Sequence, residues 1–117
     1  TISPYVIKAM GEQASRRYFL TAERFSATEA HRIGLVHDTV VPEALDATVA
    51  AIVKALASNS PHAVGEAKKL VREVVGQPVT DALLADTANR IAAIRASDQG
   101  REGVASFLEK RKPSWLE

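Results

Sequence analysis

The side chains with the greatest chemical reach gather near the end of the chain, at Glu102, Glu109, Lys110, Arg111 and Lys112. Cations grouped at a helix end have two uses. They complement the negative pole of the helix as a solvated terminus, or they contact a phosphate-bearing ligand. Both readings stand on these residues alone. Elsewhere the candidates are sparse. His31, His37 and His62 do not have metal-site spacing, and no carboxylates converge on them in sequence. Ser3, Ser60 and Ser97 read as helix caps, and there is no Gly-x-Ser-x-Gly elbow to expose a nucleophile. The glycines read as scattered helix terminators, not as a phosphate-cradling loop. Arg16-Arg17 and Lys68-Lys69 read as solvated charge pairs. The glutamates all have capping or helix-surface explanations, so no raised acid pKa is argued for any of them. The residues themselves present no catalytic machinery.

The elements that must carry these side chains are mostly helices. Ser3-Pro4 is a helix start with serine as cap, Val6, Ile7 and Met10 line one face, and Gly11 ends the segment. A second helix runs from Glu12 through Tyr18-Phe19-Leu20. Ser26-Ala27-Thr28-Glu29 is a capping box opening a short helix that closes at Gly34. Leu35 to Val41 is rich in β-branched residues and bounded by Gly34 and Pro42, which predicts one strand. Helical patterns follow from Pro42 to Asn59, from Ser60-Pro61 to Gly76, and from Thr80 with Leu83, Leu84, Ala88, Ile91 and Ile94 facing inward. Ser97 or Asp98 caps the last helix, where Val104, Phe107 and Leu108 form a narrow apolar stripe and Pro113 is the stop. The expectation is a mainly α chain of about seven helices and one short strand.

With 117 residues, 46% hydrophobic and 25% charged, the composition is that of a globular chain with room for one domain. A net charge of +1 supplies no field to draw it to nucleic acid or a membrane surface. The absence of cysteine excludes disulfides and thiolate chemistry and fits a reducing, cytoplasmic setting. A lone strand leaves its ladder groups unpaired. It must therefore edge a sheet made elsewhere or be an extended, water-solvated loop. Together with the short, apolar first helices, that predicts the carboxyl-terminal part of a larger protein.

Two runs carry a resemblance. Leu20-Thr21-Ala22-Glu23-Arg24-Phe25-Ser26-Ala27-Thr28-Glu29-Ala30-His31-Arg32-Ile33-Gly34-Leu35-Val36 resembles the L-T-G-x-x-x-x-A-x-x-A-x-x-x-G-L-V run of the enoyl-CoA hydratase/isomerase (crotonase) family. Glu102-Gly103 with Phe107-Leu108-Glu109-Lys110-Arg111-Lys112-Pro113 resembles that family's E-G-x-x-A-F-x-E-K-R-x-P ending. The two occur in the right order, and the resemblance covers the whole chain.

The resemblance implies the C-terminal part of an α/β crotonase fold, a β/α spiral. Residues 1–41 would end the core and residues 42–117 would form a helical oligomerisation region of a trimer or a dimer of trimers. It implies hydration of an α,β-unsaturated acyl-CoA by two glutamates and two oxyanion-hole amides, all expected upstream of Thr1, so the chain alone should be inactive. Enoyl-CoA isomerisation, acyl-CoA hydrolysis and a non-catalytic helical interaction module are the alternatives. By position in the motif, Lys110 would reach the CoA phosphates or adenine of a neighbouring subunit. Ile91 would stand where the family often has an aromatic residue beside the acyl or adenine portion, with plain core packing as its other role. Ile2 and Ser3 would border the acyl pocket. No metal and no cofactor are implied beyond the coenzyme A of the substrate. The wording of the first residues resembles a methylglutaconyl-CoA hydratase-like branch acting on branched acyl-CoAs.

Overall fold

The computed structural model describes residues 1–116. Six α-helices follow one another: α1 (Ser3–Thr21), α2 (Ala27–Arg32), α3 (Leu45–Ala57), α4 (Pro61–Val74), α5 (Asp81–Ala96) and α6 (Asp98–Leu108). Single 3-10 turns precede α3 at Pro42–Ala44 and close the chain at Ser114–Leu116. The chain divides into two compact units, Thr1–Thr48 and Val49–Glu117.

In the first unit α1 is two helices in one, broken where Gly11 takes φ 79°, a left-handed conformation that costs glycine little. The Ser15 hydroxyl donates to the Gly11 carbonyl at 2.6 Å, one turn after the break. Ser3 is not the cap. Ile2 holds that position, and its carbonyl accepts from Tyr5 and Val6 at 3.0 and 3.1 Å, so the helix begins one residue earlier than its serine suggests. The small core is Met10, Tyr18 and Ala30, with the Phe25 ring centred 4.4 Å from that of Tyr18. Ser26 accepts from the Glu29 amide at 3.1 Å, forming half of the capping box. The other half is absent because the Glu29 carboxylate turns to Tyr18 and Arg32 instead.

No strand forms over residues 35–41. Leu35 and Val36 donate back to the Ala30 carbonyl, and the Thr39 amide bonds Asp38 at 2.7 Å. The β-branched residues favour an extended backbone, but a ladder needs a second strand, and among the described residues there is none. Within this chain residues 35–41 are therefore a loop whose first two amides fold back onto α2.

The second unit packs α4, α5 and α6 pairwise. Their caps are the ones the sequence predicts: Ser60 on Ala63, Thr80 on Leu83 and Ser97 on Gly100, at 3.1, 3.2 and 3.0 Å. Gly65, Gly100 and Gly103 are interior helical residues, not terminators. At Gly100 the reason is contact: a Cβ there would lie 2.1 Å from the Ile94 carbonyl oxygen, so only glycine lets α6 start this close to the end of α5. The α6 residue that faces inward is Ser106, while Val104, Phe107 and Leu108 lie exposed. On α5 the half-buried residues are Leu83, Asp86, Thr87, Arg90 and Ile94, and Leu84, Ala88 and Ile91 are exposed. Among the described residues of this unit no apolar side chain is fully buried.

Candidate functional site

The basic end of the chain is organised by how α6 stops. Its cap is Glu109, and Lys110 follows at φ 53°, the left-handed conformation usually given to glycine. The Lys110 amide donates to the Phe107 carbonyl at 3.3 Å and the Arg111 amide to the Ser106 carbonyl at 3.0 Å, the paired bonds of a Schellman termination. The helix therefore ends before Pro113, and Lys110 stands at the bend.

Arg111 then folds back. Its Nη1 and Nη2 donate to the two Glu102 oxygens at 2.6 and 2.9 Å, its Nε donates to Glu109 at 2.6 Å, and Nη1 also reaches the Lys112 carbonyl at 3.1 Å. The Ser114 amide donates to Glu102 at 2.9 Å, and Trp115 Nε1 donates to the Ser58 carbonyl at 3.2 Å. Arg111, with the Ser114 amide beside it, holds the Glu102 carboxyl down at about 2, and the two carboxylates raise the Arg111 guanidinium. Arg111 is thus neutralised in place. Lys110 is exposed, and among the described residues no carboxylate pairs with its ammonium.

Of the other residues expected at the site, Ile91 shares the second unit with this turn, and Ile2 and Ser3 belong to the first. Ile91, 57% exposed, lines a cleft of about 470 Å³ between α4 and α5 with Ala67, Leu70 and Ile94. It belongs neither to a packed core nor to the Lys110 turn. Arg90 borders the same cleft, held by Glu73 and Asp86 at 2.5 and 2.7 Å. Ile2 and Ser3 are exposed at the start of α1 in the first unit. The pairing of Glu102 with Arg111 is what spacing does not reveal, because nine positions apart they match no helical contact interval.

The electrostatics bear on acid–base chemistry. The Glu29 carboxyl is also held at about 2, by Arg32 and then by the Tyr18 hydroxyl. A general acid working near neutral pH needs the opposite shift. Glu29 and Glu102 are fixed anions, suited to anchoring cations and not to moving protons. Among the described residues no three His, Asp or Glu side chains gather as a metal-binding group, and no helix is long and apolar enough to cross a membrane.

Comparison with known proteins bears on the whole chain. The profile of the enoyl-CoA hydratase/isomerase family matches residues 1–117. The mevalonyl-coenzyme A hydratase sidH of Aspergillus fumigatus is 31% identical over 115 residues, covering 96% of this chain and 42% of its own length. The crotonyl-CoA hydratase of Syntrophomonas wolfei is 31% identical over 109 residues, covering 93% of this chain and 42% of its own length. A crystal structure of an enoyl-CoA hydratase from Shewanella pealeana superposes with a TM-score of 0.90 at 44% identity, over 97% of this chain and 42% of that one. The chain therefore spans less than half the length of the proteins it matches.

Proposed function

The chain belongs to the enoyl-CoA hydratase/isomerase family, and from that premise we propose that it is the CoA-contacting and subunit-packing segment of an enoyl-CoA hydratase. The enzyme adds water across the double bond of an α,β-unsaturated acyl-CoA. Its acid and base are not among the perturbed carboxylates of this segment, which stay ionised at any pH where the reaction would run.

The observation that carries the CoA contact is the Lys110 turn. Lys110 is an exposed cation held in a strained backbone conformation, beside an arginine whose charge is already taken up. An ammonium on a flexible stem suits a phosphate of a polyanionic ligand. The packing role is supported by the second unit's lack of a buried apolar side chain among its described residues. Exposed stripes on α3 and α6 call for cover, and the cover proposed is neighbouring subunits in a homo-oligomer, trimeric or a dimer of trimers. The names of the relatives run from mevalonyl-CoA to crotonyl-CoA, so the substrate is proposed as a class and not as one acyl chain.

The test is Lys110→Ala in the intact enzyme. With crotonyl-CoA, KM should rise roughly tenfold while kcat stays within about twofold, the signature of lost uniform binding. An unchanged KM sinks the CoA contact. The 117 residues alone should not hydrate crotonyl-CoA, and turnover by them would overturn the placement of the acid and base.

A further inference from the structure

We infer that Glu102 and Arg111 are positioning residues for Lys110, a clamp that closes residues 109–114 into a fixed turn and so sets where the ammonium stands. The inference rests on the proposed CoA contact and goes beyond it by naming what holds that contact in place. Both ends of the turn are tied. The first is tied by the backbone bonds of Lys110 and Arg111 to Phe107 and Ser106. The last is tied by the Ser114 amide on Glu102, with the Trp115 ring against Gly103, where a Cβ would lie 3.4 Å from the ring edge. Across the middle, the Arg111 fork joins Glu102 on the helix to Glu109 and the Lys112 carbonyl on the turn.

Lysine has no intrinsic preference for the left-handed conformation at its position, so the turn must be over-determined by its surroundings to keep it there. The clamp supplies that. It also sorts the cations of the turn. Four of the five Arg111 N–H groups are engaged by Glu102, Glu109 and the Lys112 carbonyl. Among the described residues the ammoniums of Lys110 and Lys112, and not the Arg111 guanidinium, are therefore the turn's cations without a carboxylate partner. Of the two, Lys110 is the one whose backbone the turn fixes at φ 53°.

The experiment uses the intact protein, with CoA itself as the probe in calorimetry and crotonyl-CoA in steady-state kinetics. The variants are Glu102→Gln, Lys110→Ala and the double variant. Glu102→Gln should weaken CoA binding roughly tenfold and raise KM with kcat retained, and it should add nothing in the Lys110→Ala background. The Arg111 amide should also lose protection from hydrogen exchange in Glu102→Gln. Wild-type affinity in Glu102→Gln, or single effects that multiply in the double variant, overturns the clamp and leaves the Lys110 contact standing. Tighter CoA binding in Glu102→Gln would assign the anion to the released Arg111 and overturn it too. No effect in Lys110→Ala removes the underlying contact, and the inference with it. Should Glu102→Gln fail to fold, Arg111→Lys, which keeps the charge and loses the fork, carries the same test.

Discussion

Arg111 holds Glu102, nine residues earlier, with two N–H groups on two carboxylate oxygens at 2.6 and 2.9 Å, and this pair closes the chain's last turn. Its pH behaviour follows from the sign of the shift. The Glu102 carboxyl sits at about 2 when folded, against an ordinary value of 4.5. Its contribution to stability is therefore complete above the ordinary value and is lost as pH falls from there toward about 2. Melting curves of the intact protein and of Glu102→Gln should differ at neutral pH and converge on acidification through that window. A difference that stays constant across it would show that the ion pair contributes nothing.

Lys110 and Ala22 are the two non-glycine residues with positive φ among the described residues, at 53° and 54°. Each carries the steric cost of a Cβ in that region, so replacing either with glycine should stabilise the protein by roughly 0.5–1 kcal/mol after the unfolded-state entropy is counted. The two should part in function. Ala22→Gly should leave CoA binding unchanged, whereas Lys110→Gly should gain stability and lose affinity. A Lys110→Gly variant that is more stable and binds CoA normally would make Lys110 a helix terminator only.

Gly100 separates a glycine needed for contact from one that is only permitted. A Cβ there would meet the Ile94 and Arg95 carbonyl oxygens at 2.1 and 2.9 Å, and no side chain can rotate away to relieve a backbone clash. Gly100→Ala must push α6 off α5, along with the Ser97 cap on the Gly100 amide, and should cost about 1–3 kcal/mol. Gly65, inside α4, has nothing within 4 Å of its virtual Cβ, and Gly65→Ala should stabilise by about 0.5–1 kcal/mol. Equal melting temperatures for the two variants would contradict the close approach of α5 and α6.

What the sequence made legible was mostly local. Caps at Ser26, Ser60, Thr80 and Ser97 form as expected because a hydroxyl and an amide three residues on need no help from the rest of the fold. Gly11, Gly34 and Gly76 take positive φ for an equally local reason. One failure is equally local, Ser3 being displaced as cap by Ile2, and the others are tertiary. A run of β-branched residues at 35–41 cannot state whether a ladder partner exists. Periodicity on α5 offers two adjacent rows, and packing against α4 and α6 chooses the one with Thr87 and Arg90 over the one with Ile91. Lys110 stands out by its place in the terminal motif, but its backbone conformation has no sequence signal, because lysine is not the residue one expects there.

The α3 stripe is where the packing proposal is most exposed to refutation. Val49, Ile52, Val53 and Leu56 share one face at helical spacing, and Ile52 is 53% exposed, as its neighbours roughly are. If neighbouring subunits cover this face, Ile52→Asp places an unpaired charge in an apolar contact, which costs several kcal/mol and should both lower the melting temperature and dissociate the assembly in sedimentation. If the face is left to water, the same change is a surface substitution within about 0.5 kcal/mol and the sedimentation does not move. Lys54→Glu, on the same helix outside the stripe, controls for charge and should be neutral in both measurements. The Ile52→Asp variant is expected to fall apart, and one that melts and sediments like the parent protein would remove the subunit-packing role from α3.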